Sequence, residues 1–360
     1  MGSRVRVSVD EGLGRPLERY MKLYESPENR RLTLFPDTSW SLLPESPLLV
    51  EVRRARLRDT HLDPEAFVTF TIAQRIYRFE RWRDCTPLTL DIAYWSGVVL
   101  EEAALGMEPV YPEDQDPWIL REALVTKAED IDSLCAGFDP DRGILRLMLE
   151  MSEFFRVKLP GIAVPIQAWD RSALGIAISL MGVEGFLIVT SGGTVLVHPL
   201  LRRLTDEGPL LSAARQAYLE RLGFPVESAI CPGLPEAIKD MNSNFVNIIS
   251  DELGLTMLPP AVYKEFVFPC EAELVEEPGR LNYYHSYSFL TTFLPSVARL
   301  RPLTQHVGAW TDWEVALWKY VGSRTLLQQT LHSMRDVLDR DLVGMKDLIR
   351  SIRAAAACMA

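Results

Sequence analysis

Phe245-Val246-Asn247-Ile248-Ile249-Ser250-Asp251-Glu252 is the stretch that decides the fold class of this chain. A short run dominated by aromatic and β-branched residues stops abruptly at two carboxylates. It is nearly continuous in its apolar character instead of alternating, as expected of a strand buried on both faces in a parallel sheet covered by helices. The same pattern recurs downstream at Leu281–Tyr284, Thr304–Ala309 and Leu326–Leu331, and upstream at Gly161–Ala168. Amphipathic stretches predicted to be helical lie between or beyond these runs, at Val197–Leu222, Ala261–Glu277, Leu290–Leu300 and Met334–Ala357. Strands alternating with helices predict βα units, and a repeat of this length favours a (β/α)8 TIM barrel over a doubly wound sheet. No Gly-x-Gly-x-x-Gly follows a strand and no Walker A loop occurs, which argues against a dinucleotide fold and a P-loop. The region 1–150 reads as a mostly helical extension and 151–360 as the barrel core, the two forming one integrated α/β domain.

Composition narrows the function classes. The chain has 360 residues, 48% of them hydrophobic and 24% charged, enough apolar material for a sizeable core and too much for a disordered chain. Its longest apolar runs fall short of the ~20 residues of a membrane-spanning helix. With no basic start followed by an apolar stretch and a cleavage site, export is not expected. Thirty-eight basic against 49 acidic residues, a net charge of −11, argue against a nucleic-acid partner. Five cysteines, at 85, 135, 231, 270 and 358, are odd in number and have no close pairs, so a disulfide framework is not expected and a reducing cytoplasm is.

In a barrel, chemistry gathers at the carboxyl ends of the strands. That rule selects Trp169, Asp170 and Arg171; Asn242, Asn244, Asp251 and Glu252; His285 with Tyr283, Tyr284 and Tyr287; Trp310, Thr311 and Asp312; and His332. Ordinary structural roles compete for several of these. Asp312, just before Trp313-Glu314, suits a helix N-cap, and His332 before Ser333 suits a cap region. His306 lies inside its strand and can point either way, while His61 and His198 sit in helical or loop context. His285 stands apart because three tyrosines and Asn282 surround it, and polar density of that kind is costly to bury unless paired or used. Arg75-Ile-Tyr-Arg78-Phe-Glu-Arg81-Trp-Arg83 mixes arginines with aromatics. It fits a solvated helix face, or a cluster that receives an anionic substrate through bidentate guanidinium contacts.

Two of these stretches carry a family likeness. Asp251-Glu252-Leu253-Gly254, with Leu258-Pro259-Pro260 and Tyr263-Lys264-Glu265-Phe266-Val267-Phe268-Pro269 after it, resembles the uroporphyrinogen decarboxylase superfamily. Tyr284-His285-Ser286-Tyr287-Ser288, followed by Phe293-Leu294-Pro295, is similar to that superfamily's His-x-Cys-Gly strand and helix. Leu100–Trp118 looks like its amino-terminal substrate-side region, and Ala173–Leu204 like its first barrel strand with the following helix. The resemblance spans roughly residues 90 to 350. It implies a (β/α)8 barrel and one of two chemistries, either cofactor-free decarboxylation or zinc-dependent methyl transfer involving a corrinoid protein, a thiol or an aryl methyl ether. Many members dimerise, so a homodimer is compatible with it.

Two departures from the family pattern shape the expectation. The zinc-dependent branch binds its metal with a His-x-Cys pair and a distant cysteine. Here Tyr287 stands at the first cysteine position, and no cysteine lies in Trp310–Leu331. A phenol is a poor zinc ligand near neutral pH. Members also carry an eighth strand after the last long helix, whereas here Met334–Ala357 runs to Cys358-Met359-Ala360, leaving closure to an earlier segment or a partner, or leaving the barrel open.

The expected function is therefore a metal-independent lyase or decarboxylase that uses no cofactor and acts on a small aromatic or carboxylated substrate. His285 and Asp251 would serve as acid and base, with Tyr287 alongside. Trp169, Arg171, Asn244, Tyr283, Trp310, His332 and Arg75 would contact the substrate. The alternatives are a methyltransferase of the O-demethylase type, with an atypical zinc site and a corrinoid protein partner, and a non-catalytic barrel subunit.

Overall fold

The computed structural model describes residues 57–82, 94, 97–113, 115–119, 122–134, 143–158, 170–192, 196–206, 246–255, 258–276, 281–323 and 325–330, with isolated positions between 344 and 354. The expected strand Gly161–Ala168 and the site candidates Trp169, Asn244 and His332 lie outside the described residues, as does Asn242.

The described residues between 57 and 158 are mostly helical, as expected. Helices α1 (Leu57–Leu62), α2 (Pro64–Trp82), α3 (Leu100–Ala104), α4 (Ala128–Ser133) and α5 (Gly143–Lys158) are joined by a small antiparallel pair, β1 (Pro109–Val110) and β2 (Trp118–Ile119). The apolar stripes of α2, α3 and α5 meet in one cluster, where Phe67 stacks on Phe155 with ring centroids 5.5 Å apart and Tyr94, Leu100, Ile144 and Met148 close around them. Helix α5 runs unbroken through residue 150, so the chain has no break in secondary structure there.

The second half is built on five parallel strands: β3 (Asp170–Arg171), β4 (Val246–Ile249), β5 (Leu281–His285), β6 (Thr304–Val307) and β7 (Leu326–Gln329). They lie side by side in sequence order. Sequential parallel neighbours need a crossover between each pair, and helices supply the cover here as in any βα array. The four runs read as strands from Phe245 onward thus each contain a strand, with β5 running one residue further, to His285, and β6 ending two residues earlier, at Val307. Among the described residues the sheet has five strands and does not close, so they show a parallel α/β sheet and not a complete eight-stranded barrel.

One expectation is corrected outright. Ala173–Leu204, read as a strand and then a helix, is helical in its described parts: α6 (Ala173–Met181), α7 (Val183–Gly192) and α8 (197–206). A short, wholly apolar run fits a buried strand or a buried helix equally well by periodicity. The ends settle it locally. The Ser172 side chain accepts a hydrogen bond from Gly175 N, a standard N-cap, and Gly182 ends the helix at φ +73°, a conformation disfavoured for residues with a Cβ. All of α6 except Ser179 is buried, and a helix apolar on every side belongs in a core.

Leu174, Ala177 and Leu180 of that helix join Leu200, Leu201, Ile248, Leu253, Tyr263, Tyr284, Leu294 and Val297 in the main core. Each buried aliphatic side chain contributes roughly 1.5–3 kcal/mol relative to exposure. The carboxyl ends of the strands are tied together beyond the strands proper. Ser172 N donates to Ile249 O (2.7 Å), Ser250 N to His285 O (2.9 Å) and Thr330 N to Val307 O (3.0 Å). Those bonds fix the loops on which the polar residues sit. Among the described residues no helix is long and apolar enough to cross a membrane.

Candidate functional site

Asp251 is the second residue past β4, after Ser250, and its position follows from the backbone around it. Its Oδ1 accepts a hydrogen bond from Tyr287 N (2.7 Å) and lies 3.7 Å from Nε2 of His285. His285 ends β5. A register shift between β4 and β5 pairs Val246 with Leu281 but Asn247 with Tyr283, passing over Asn282, so that His285 comes level with Ile249. Irregularities of this kind re-aim the side chains that follow them. The Asp251–His285 pairing expected from the sequence is therefore present.

His306 lies within its strand, where the sequence lets its side chain point either way. It belongs to the site. Its ring stacks on that of His285 at 4.3 Å and 6°, and Tyr287 stands edge-on to both, at 4.4 Å from His285 and 5.0 Å from His306. Tyr283 flanks the pair at 5.9 Å from His285, and its hydroxyl donates to Gln328 Oε1 of β7 (2.9 Å). His306 Nε2 shares a 2.6 Å hydrogen bond with the Thr330 hydroxyl. The signal for His306 was available in principle: strand period two places Tyr283 and His285 on one face of β5, and Thr304 and His306 on one face of β6. What decides their meeting is the register between the strands, which pairs Tyr283 with Thr304.

Burial sets the proton affinities. Desolvation pushes the Asp251 carboxyl up to about 6; the Tyr287 N–H and Arg171 oppose that rise, and Glu252 adds to it. Desolvation lowers His285 to about 3, with His306 adding to the effect, and lowers His306 to about 4 against an opposing backbone contact at Ser286. Near neutrality two uncharged imidazoles therefore face a carboxyl that is largely ionised but close to its midpoint. Such a group can take a proton and give it back within an ordinary pH range.

The other sequence candidates divide. Trp310 follows β6 and is exposed, while its neighbour Thr311 is buried, accepting from Leu290 N (3.0 Å) and donating to Ser288 O (3.1 Å). Asp312 is a helix cap, accepting from Glu314 N and Val315 N at the start of the helix Trp313–Tyr320. Arg75 lies on α2, and its side chain lies outside the described residues. Arg171, expected to grip substrate, is enclosed by protein carboxylates. One of its amino groups pairs with Glu102 and the other with Glu252, the first also donating to Val98 O (3.0 Å). Burial lowers its proton affinity, but the two carboxylates outweigh that and raise it above the ordinary guanidinium value. Glu252 stands at a strand end legible in the sequence, but Glu102 and the shared hold on Arg171 were not, because nothing in a linear pattern links residues 102, 171 and 252.

A zinc site of the kind the resemblance implies does not fit these donors. The imidazoles of His285 and His306 lie parallel, so their in-plane lone pairs run side by side and cannot converge on one ion about 2 Å from each. Tyr287 replaces the nearest thiolate. Among the described residues no group of three or more His, Cys, Asp or Glu is disposed to hold a metal, and Cys270 donates its thiol to Phe266 O within the apolar core.

No protein-family model matches the chain, nor does any curated protein. Among solved structures it is similar to a methyltransferase from Methanosarcina mazei, with a TM-score of 0.53 and 14% sequence identity, over 79% of this chain and 74% of that one. At that identity the likeness is one of fold. It supports an α/β architecture and does not single out the uroporphyrinogen decarboxylase superfamily.

Proposed function

We propose that this chain is a methyltransferase working at the carboxyl ends of β4 to β7, with Asp251 as its general base. The observation that carries the reading is the convergence of Asp251 on the neutral His285–His306 pair, in a fold shared with a methyltransferase. Asp251 takes the proton from the acceptor's O–H or S–H as the methyl–acceptor bond forms. The methyl–donor bond breaks at the same time, and its electron pair stays on the donor. Tyr287 N–H holds the carboxylate in place, and the imidazoles beside it carry no net charge near neutrality. A corrinoid protein, which the resemblance implies, is the proposed methyl carrier, and no step here passes through zinc.

The test supplies isotopically labelled methylcobalamin as donor and a panel of small thiols and phenols as acceptors. Transfer is expected to rise with pH through about 6, as Asp251 ionises, and to fall about 100-fold or more in Asp251→Asn. A second reading, proton-transfer decarboxylation without a metal, is favoured by the 3.7 Å separation of Asp251 and His285. Release of carbon dioxide from carboxylated aromatics, with no methyl transfer, would replace the first reading by the second. Absence of both activities would support a non-catalytic subunit.

A further inference from the structure

The turn that carries Asp251 rests on a buried ionic cluster drawn from four elements. Arg171 ends β3, Glu102 belongs to α3, Glu252 follows Asp251 directly, and Gly175 lies on α6. Glu102 is fully buried and Glu252 nearly so. Arg171 bridges their carboxylates, and its own N–H donates to Glu101 Oε1 (3.2 Å). Gly175 makes the space for this: a Cβ there would lie 2.6 Å from Glu252 Oε2 and 2.9 Å from Arg171 Nε. A glycine inside a helix costs about 1 kcal/mol relative to alanine, so its presence at this contact has a reason in the cluster.

Asp251 and Glu252 are adjacent, so a hold on one side chain fixes the backbone from which the other projects. With Glu252 drawn back to Arg171, Asp251 reaches across to Tyr287 N and His285. We propose that Arg171 is a positioning residue for Asp251: its two-armed hold on Glu102 and Glu252 fixes the turn after β4 and sets the balance of charge around the Asp251 carboxyl. This rests on Asp251 being the proton-handling group of the proposed function. The charged and titratable groups around Asp251 are Glu252 beside it, Arg171 from β3, Glu101 and Glu102 from α3, and His285 and Tyr287 from β5 and its loop, with His306 of β6 behind His285.

The amide of Tyr287 donates to Asp251, so its resonance in a nitrogen–proton correlation spectrum reports the ionisation of that carboxyl without any assay of turnover. Arg171→Met removes a positive charge and is expected to raise the Asp251 midpoint by about one pH unit. Arg171→Lys keeps the charge and should restore much of the midpoint. Glu252→Gln keeps the shape of the hold but removes a neighbouring negative charge, and should move the midpoint down. Opposite signs from two members of one cluster are not expected of a merely structural clamp. If Arg171→Met does not fold, Glu252→Gln decides alone: a fall supports the proposal and an unmoved midpoint overturns it. Shifts of the same sign in Arg171→Met and Glu252→Gln would also overturn it. Because this readout is independent of methyl transfer, a normal titration response with no transfer activity would sink the proposed function and leave the positioning role standing.

Discussion

At the scale of the residue, the site depends on close approaches that only glycine permits. At Gly308, just past β6, an added Cβ would run into the backbone carbonyl of Tyr287. Tyr287 N holds Asp251 and its ring packs against both imidazoles, so a displacement there would reach all three groups. Gly308→Ala is therefore expected to destabilise the fold by about 1–3 kcal/mol, the usual range for overpacking, and to loosen the site disproportionately. Urea unfolding combined with the Tyr287 amide shift checks this, and an unchanged amide shift would count against it. The sequence brought His285, Asp251 and Tyr287 together because a strand end, an acidic strand end and a family-like motif each leave a linear mark. It could not supply the stacking of His306 on His285, the part played by Glu102 or the pairing of Glu252 with Arg171, which join residues 21 to 81 positions apart.

At the scale of the element, α6 shows how a local signal outranks a composition. Its apolar run is compatible with a strand, yet Ser172 and Gly182 frame a helix, and the burial of nearly every face makes the helix worthwhile. Leu180 is fully buried in the main core, so Leu180→Ala is expected to cost about 2–5 kcal/mol, the sum of lost transfer energy and a residual cavity. Ser172→Ala should cost about 0.5–2 kcal/mol through loss of the cap. Denaturant midpoints of the two variants test the ordering, and a larger loss for the cap than for the core residue would contradict this account. The stretch predicted as one helix over Ala261–Glu277 is also divided, with a π-helical turn at Tyr263–Val267 between two α-helical parts. Across that turn Tyr263 donates to Glu271 (2.6 Å), a carboxyl that the Tyr284 hydroxyl of β5 also reaches at 3.2 Å. The helix pattern was legible; its irregular turn depends on where the buried carboxyl finds its donors.

At the scale of the whole molecule, buried titratable groups should govern stability against pH. Desolvation raises Glu102 and Glu271 from ordinary carboxyl values to about 7 and Asp251 to about 6, while it lowers His285 to about 3 and His306 to about 4. For the carboxyls the native state binds more protons than the unfolded chain between the two pKa values, so stability falls as pH rises through that window. For the histidines the unfolded chain binds more, so stability rises with pH up to about 6.5. The two sets oppose each other below that point. Above it only the carboxyls remain, and stability should decline between about pH 6.5 and about pH 7.5. Glu271→Gln should make that decline shallower while leaving the acid side of the curve in place. Urea midpoints across the range measure it, and an equally steep decline in the variant would remove Glu271 from the explanation.

The sequence by itself determined the class of the fold and its register of chemistry. Continuous apolar runs ending in polar residues gave parallel strands, and the strand ends gave Asp251, His285 and Tyr287. Periodicity and composition are local quantities, and these features are written locally. The tertiary structure decided the rest: that Arg171 is held by Glu102 and Glu252, that His306 stacks on His285, and that the described sheet has five strands in sequence order without closing. Each of these depends on the pairing register between strands or on contacts across the core. Those are set by packing among distant segments, and no window of the chain contains them.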